Sequence, residues 1–102
     1  MTYKLFIDDI RQPPSPDWVV VRSSEEAKAT VLKYGMPTTI SFDHDLGGDD
    51  TSMLFIHWLI ELSMDNPALP FPRDYIIHSA NPVGAKNIDG LLSSYIRHLE
   101  TL

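Results

Sequence analysis

Four short apolar segments predict β-strands, and they constrain the fold of this chain more than any other feature. Each segment holds three or four residues rich in β-branched and aromatic side chains, which is typical of buried strands. In chain order the segments are Leu5–Ile7, Trp18–Val21, Thr39–Phe42 and Tyr75–Ile77. With only 102 residues, the chain has room for one domain, spanning residues 1–102.

Helical patterns follow the second, third and fourth predicted strands. Ser23 lies three residues before Glu26, a capping-box spacing that opens the first helix, and Gly35 suits its C-terminal end. The second helix is predicted over Thr51–Met64. Asn81 is placed to cap the third helix, with a proline at its first position.

The resulting order, β–β–α–β–α–β–α, predicts an α/β fold. Only Gly35–Pro37 separates the first helix from the third strand, so the second and third strands should point the same way. The segment between the first two strands can extend to ~33 Å, which is long enough to cross back over the sheet without a helix. We expect a small open parallel sheet in the strand order 2-1-3-4, with helices on both faces.

Composition narrows the classes of function. The net charge of −6 argues against binding a long nucleic acid through a basic surface, but leaves a small anionic ligand open if a metal or local donors offset the charge. With no cysteine, a disulfide or thiolate zinc site is excluded. The longest apolar runs, Trp18–Val21 and Met53–Ile56, are too short to span a membrane, and we expect a cytoplasmic protein. Apolar residues surround much of helix 51–64, which allows a homodimer through that helix.

Acidic and histidine side chains follow three of the predicted strands. In an open parallel sheet, ligands bind at the carboxyl ends of the strands. The polar residues there are Asp8 and Asp9, then Asp43, His44 and Asp45, then His78, Ser79 and Asn81. Asp8, Asp9 and Asp43 form an oxygen-ligand set that suits Mg²⁺. The alternative is a group of solvated carboxylates at strand ends.

The two histidines at the strand ends are candidates for proton transfer. His44 and His78 could act as general acid and base on a phosphodiester, with a neighbouring aspartate orienting an imidazole. The alternative is that one of them only caps a strand. His57 and His98 lie within predicted helices and are expected to be packed or solvated.

Several residues near these strand ends could hold a phosphate. Arg11 could clamp it in a bidentate manner, or pair with Asp9 or Asp17 instead. The segment Asn81–Gly84 offers backbone N–H groups at a helix start, and Lys86 lies one turn further on. An ordinary helix cap and a solvated lysine explain the same residues.

Three motifs together resemble a receiver-like group, the cyclic-phosphate processing receiver domains. They are LFIDDIR with two prolines after it, DHDLG, and HSANPVG, which begin at Leu5, Asp43 and His78. The resemblance covers nearly the whole chain. It implies a truncated receiver fold, in which the acids would bind metal, Asp43 would match the phosphoacceptor and Ser79 the phosphate-contacting hydroxyl.

Departures from signalling receivers bear on the function. The chain has no fifth strand with its lysine, and His44 and His78 stand where receivers carry small or apolar residues. The family name implies a phosphoesterase acting on a cyclic phosphate, either a 2′,3′-cyclic RNA end or a cyclic nucleotide. The alternative is a non-catalytic module that binds a phosphorylated ligand or accepts phosphate on Asp43. The histidines favour the enzyme, whereas the acids are common to both.

Overall fold

The fold is a four-stranded parallel sheet with three helices, as the sequence predicts. The computed structural model describes residues 2–102, and its strands lie in the order β2-β1-β3-β4. Leu5 of β1 pairs in register with Val19 of β2 and with Ile40 of β3. The elements in chain order are β1 Lys4–Ile7, β2 Trp18–Val21, α1 Ser24–Tyr34, β3 Thr39–Phe42, α2 Ser52–Asp65, β4 Asp74–Ile77 and α3 Pro82–Glu100.

The ends of α1 and α3 are set by the residues that the sequence indicated. The Ser23 hydroxyl accepts a hydrogen bond from the Glu26 amide at 3.1 Å, and Gly35 ends α1 with a φ of 89°, a conformation that favours glycine. The Asn81 side chain caps α3 by accepting from the Gly84 amide at 3.0 Å. Within residues 2–102, no helix combines the length and apolar content that crossing a membrane requires.

All three helices pack on one face of the sheet, so the expectation of helices on both faces is wrong. The buried core joins strand residues such as Leu5 and Phe42 to Val31 of α1, Phe55 of α2 and Leu92 of α3. The reason is topological. The crossovers from β2 to β3 and from β3 to β4 step in the same direction across the sheet, and right-handed crossovers then place both helices on the same side. α3 packs against α2 and joins that layer.

The opposite face of the sheet, here called the open face, carries no helix within residues 2–102. The one crossover that steps the other way, from β1 to β2, is a proline-containing segment without a helix. Phe6 is nonetheless only 4% exposed, because Trp18 meets it edge-on and the His78 ring stacks on it with centroids 4.5 Å apart. Ile76, on the edge strand β4, is 51% exposed on this face.

Candidate functional site

Three carboxylates meet at the carboxyl edge of the sheet. Asp8, Asp9 and Asp43 each place an oxygen within 4.8 Å of the others. The sheet hydrogen bonding continues past the strand ends and sets this arrangement: the Asp43 amide donates to the Ile7 carbonyl at 2.9 Å. The His78 amide likewise donates to a β3 carbonyl at 2.9 Å. Residues following β1, β3 and β4 are therefore held side by side.

Asp8 is the most constrained of the three acids, with no exposed surface. Its Oδ1 accepts hydrogen bonds from the Ile10 and Arg11 amides at 3.0 and 2.9 Å, and its Oδ2 lies 3.0 Å from His78 Nε2. Burial acts to raise the pKa of Asp8, but the backbone hydrogen bonds and the interaction with His78 together lower it below its usual value. Asp8 is therefore a carboxylate at neutral pH.

Both ring nitrogens of His78 have hydrogen-bond partners within the protein. Nε2 contacts Asp8, and Nδ1 lies 2.7 Å from the Ser41 hydroxyl, a buried group on β3. The Ser41 and Asp8 contacts, together with the stacking on Phe6, fix the ring in one orientation. This arrangement supports a holding role for His78, which fixes the position of the Asp8 carboxylate.

The surroundings of Asp43 shift its pKa in the opposite direction to the shift at Asp8. Burial and the nearby charge of Asp8 raise the pKa of Asp43, although His78 and hydrogen bonds with the His44 amide and the Ser79 hydroxyl partly offset this. The Ser52 hydroxyl donates to the Asp43 carbonyl and fixes the backbone there. A cation bound here would reduce the repulsion between the carboxylates of Asp43 and Asp8.

The donor set at this edge fits Mg²⁺. Three carboxylates supply oxygens, which this small hard cation prefers, and they lie close enough to share one ion. Asp9 and Asp43 are partly accessible, while Asp8 is already anchored by backbone amides. The pKa of Asp43 is raised by burial and by the neighbouring charge of Asp8, which indicates that the protein only partly balances the negative charge of the cluster.

His44 is held by a second network on the helix side of the same edge. Its Nδ1 lies 3.0 Å from Asp45 Oδ1, and Asp45 Oδ2 accepts from the Asn81 side chain at 3.2 Å. The hydrogen bonds with His44 and Asn81 lower the pKa of Asp45, so a carboxylate faces Nδ1 and that nitrogen carries the proton. In residues 2–102, His44 Nε2 has no hydrogen-bond partner, and in the neutral ring it is a proton acceptor.

Gly84 allows this placement of His44. The imidazole lies directly against the first turn of α3, and a Cβ at position 84 would overlap the ring. The Gly84 amide is already committed to the Asn81 cap. Gly84 therefore contributes close packing, while its N–H is not free for a phosphate.

The two histidines lie on different sides of the sheet edge. His44 packs on α3, on the helix side, whereas His78 stacks on Phe6, on the open face. Asp43 directly precedes His44 in the chain and interacts with His78. The structure thus places the His78 ring in contact with the acidic cluster and the His44 ring against Asp45 and α3. Within residues 2–102, His44 has one ring nitrogen without a partner, whereas both ring nitrogens of His78 have one.

The other predicted phosphate contacts differ in how they are held. Arg11 donates from Nη1 to the His78 carbonyl at 2.9 Å, which ties the end of β1 to the end of β4. The Ser79 hydroxyl accepts from the Asn81 amide at 3.1 Å and lies near Asp43. Lys86 is exposed on α3. Arg11 keeps further guanidinium N–H groups for an anion, because it has five in all.

Sequence reasoning missed three residues that hold this site in place. Arg22 Nη1 donates to the Asp8 and Arg11 carbonyls at 3.0 and 2.6 Å, and Ser41 anchors His78. Asp50 accepts from both the amide and the hydroxyl of Ser24, so it joins the loop after β3 to the start of α1. Only Arg22 had a signal in the sequence, since it directly follows β2 at the same edge of the sheet.

Comparison with known sequences identifies the family. A sequence model described as "Cyclic-phosphate processing Receiver domain" matches residues 3–94. No curated protein and no solved structure matches the chain. The family match runs from β1 into α3 and includes all four strands and the acidic edge. On this match, the chain belongs to the cyclic-phosphate processing receiver domain family.

Proposed function

We propose that the chain is a phosphoesterase that hydrolyses a cyclic phosphate, either a 2′,3′-cyclic RNA end or a cyclic nucleotide. The observation that carries this proposal is the arrangement of His44. Its Nδ1 is held by Asp45, its Nε2 is free within the described residues, and it directly follows Asp43 of the acidic cluster. A histidine oriented by a carboxylate and left with one free nitrogen is suited to proton transfer.

In the proposed reaction, a water oxygen forms a bond to phosphorus and one ring P–O bond breaks. His44 Nε2 takes the proton of the attacking water, and the electron pair of the broken bond goes to the departing ribose oxygen, which takes up a proton. The sequence does not assign acid and base between the two histidines; with His44 as the base, His78 would be the donor of that proton. Because both nitrogens of His78 are engaged, this step requires its bond to Asp8 or Ser41 to open, and otherwise solvent supplies the proton.

Donors around the edge would hold the phosphoryl oxygens. The Ser79 hydroxyl and the free N–H groups of Arg11 lie beside the acidic cluster, and Lys86 lies on the first turns of α3. Mg²⁺ bound by Asp8, Asp9 and Asp43 would neutralise charge on the phosphate. Such groups act by stabilising the charge that develops on the phosphoryl oxygens.

Hydrolysis of 2′,3′-cyclic and 3′,5′-cyclic nucleotides, with and without Mg²⁺, tests the proposal. Proton-transfer residues contribute roughly 10²–10⁴-fold, so His44→Ala should lower turnover by about that factor. His98→Ala is the matched control, because this histidine is exposed near the end of α3. Equal turnover by wild type and His44→Ala would contradict the mechanism, and no turnover of any cyclic substrate by wild type would contradict the function.

The alternative function is a receiver-like module that binds a phosphorylated ligand or accepts phosphate on Asp43. Asp43 follows β3 beside Asp8 and Asp9, the placement that the receiver resemblance assigns to a phosphoacceptor. Incubation with a small phosphodonor and Mg²⁺, followed by mass spectrometry, separates the two. A phosphoryl adduct that Asp43→Asn abolishes, without any hydrolysis, would favour the module. The predicted cytoplasmic location stays a prediction in either case.

A further inference from the structure

Four exposed residues form one stripe along the outer side of α2. They are Leu54, His57, Glu61 and Met64, and are called the α2 stripe below. Their spacing of three, four and three residues keeps them on one face of a helix. Leu54 and Met64, at the two ends, are 52% and 58% exposed, which leaves two large apolar side chains in water with two polar ones between them.

The α2 stripe is complementary to itself when a second copy is turned end to end. When two stripes run antiparallel, the apolar residue at one end of each stripe lies opposite the apolar residue at the other end of the partner's stripe. His57 then faces Glu61 of the partner subunit, and this contact occurs twice. A twofold axis produces such matched pairs, because each subunit presents the same surface.

We propose that the chain forms a homodimer in which α2 packs antiparallel against α2 of a second copy, with Leu54 on Met64 of the partner subunit. This proposal does not depend on the phosphoesterase activity. A parallel arrangement is disfavoured because it would place Glu61 opposite Glu61 of the partner subunit. The charges of the α2 stripe therefore select the antiparallel orientation.

A groove beside the stripe accommodates the apolar contact. It has a volume of about 350 Å³ and lies between α2 and α3, where it is lined by Ile60, Met64, Leu91, Ser94, Tyr95 and His98. Met64 belongs both to the groove and to the α2 stripe. In the antiparallel arrangement, Leu54 of the partner subunit arrives at Met64 and can enter this groove as a knob enters a hole.

Sedimentation of the purified chain over a range of concentrations tests the dimer. A contact limited to one helix face is smaller than the usual ~800 Å² per partner, so we expect dissociation in roughly the micromolar range. His57→Glu should weaken the dimer about tenfold or more, because each subunit then sets a carboxylate against Glu61. Combining it with Glu61→Lys should restore dimerisation. A chain that remains monomeric at about 500 µM overturns the proposal.

Engineered disulfides test the orientation. Because the chain has no native cysteine, only the introduced cysteines can cross-link. In the antiparallel dimer, position 54 lies opposite position 64, and the two copies of position 54 are about 15 Å apart along the helix. An oxidised mixture of Leu54→Cys and Met64→Cys chains should therefore cross-link between variants, while each variant alone should not. Cross-linking of Leu54→Cys with itself would overturn the antiparallel orientation. Circular dichroism confirms that each variant is folded before it is scored.

Discussion

His78 joins three strands through one side chain. It follows β4, its Nδ1 contacts Ser41 of β3, and its Nε2 contacts Asp8 directly after β1. Its ring also covers Phe6 on the open face of the sheet. Because Asp8 has no access to water, the carboxylate depends on His78 and two backbone amides for all its hydrogen bonds. This side chain therefore affects the stability of the fold as well as the geometry of the acidic cluster.

The two possible roles of His78 predict different results for two substitutions. If His78 holds Asp8, His78→Ala should lower the free energy of unfolding by roughly 1–3 kcal/mol, since a buried acceptor loses its partner. His78→Gln can keep an amide donor near the position of Nε2, so it should recover part of the stability and part of the turnover. Urea unfolding and cyclic-phosphate hydrolysis measure the two effects. Equal, near-complete loss of turnover in both variants with unchanged stability would instead indicate proton transfer by His78.

Asp43 should destabilise the metal-free fold at neutral pH. Its pKa is raised above the ordinary 3.8 by burial and by Asp8, so the folded state binds the Asp43 proton more tightly than the unfolded state. This cost is absent below 3.8 and develops as the pH rises through the higher folded value. Asp43→Asn should therefore raise the melting temperature at pH 7 in the presence of a chelator.

The pH dependence distinguishes this effect from a general effect of the substitution. The gain from Asp43→Asn should shrink as the pH falls towards 3.8, because the wild-type side chain is then also neutral. For a domain of this size, a change of 1 kcal/mol shifts the melting temperature by roughly 4–8 °C, which is easily measured. A gain that is the same at pH 4 and pH 7 would contradict the electrostatic explanation.

Hydrogen bonds connect the segment after β3 to the starts of α1 and α3. Asp50 accepts from the Ser24 amide at 2.9 Å and from the Ser24 hydroxyl at 2.6 Å, and thus binds the first residue of α1. At the other side, Asp45 contacts Asn81, the cap of α3. The segment that carries His44 is therefore anchored between the starts of two helices.

Removing the hydrogen bonds between Asp50 and Ser24 should destabilise the fold by a measurable amount. We expect Asp50→Ala to lower the free energy of unfolding by about 1–2 kcal/mol, because loss of a helix-capping acceptor has about this cost. Asp49→Ala is the matched control: Asp49 is exposed, and its loss should change stability by less than about 0.5 kcal/mol. Urea denaturation of the three proteins gives the comparison. Equal stability of Asp50→Ala and Asp49→Ala would show that the anchor contributes nothing.

Connection lengths and caps made the strand order and helix ends predictable. The three residues after α1 fixed the direction of β2, and Ser23 and Asn81 marked helix starts. The one-sided helix layer follows from the same topology: the segment between β1 and β2 is the one crossover that steps the other way, and because it lacks a helix, no helix is placed on the second face. Ser41 and Asp50 could not be found, since their partners, His78 and Ser24, are 37 and 26 residues away.

The acidic site adds to the negative charge of an already acidic chain. The net charge is −6, and the three carboxylates of the cluster lie at one edge between the helix layer and the open face. Charge of one sign in a compact state opposes folding through self-repulsion. A divalent cation at this edge would therefore act on both the local cluster and the charge of the whole domain, and the two effects have to be separated by experiment.

Thermal unfolding with and without Mg²⁺ separates the effect on the acidic cluster from the effect on the charge of the whole domain. A ligand that binds only the folded state at ten times its dissociation constant adds about 1.4 kcal/mol, which raises the melting temperature of a domain this size by roughly 5–10 °C. Asp43→Asn should reduce this response, because it removes one of the three carboxylates, while Asp49→Asn removes a similar charge outside the cluster and should leave the response intact. NaCl at matched ionic strength measures the contribution of screening alone. Two outcomes would contradict the magnesium site: NaCl stabilises the chain as much as MgCl₂ does, or both variants respond to Mg²⁺ like wild type. In either case the carboxylates at the sheet edge do not bind Mg²⁺, and the phosphate has to be held by the protein donors alone.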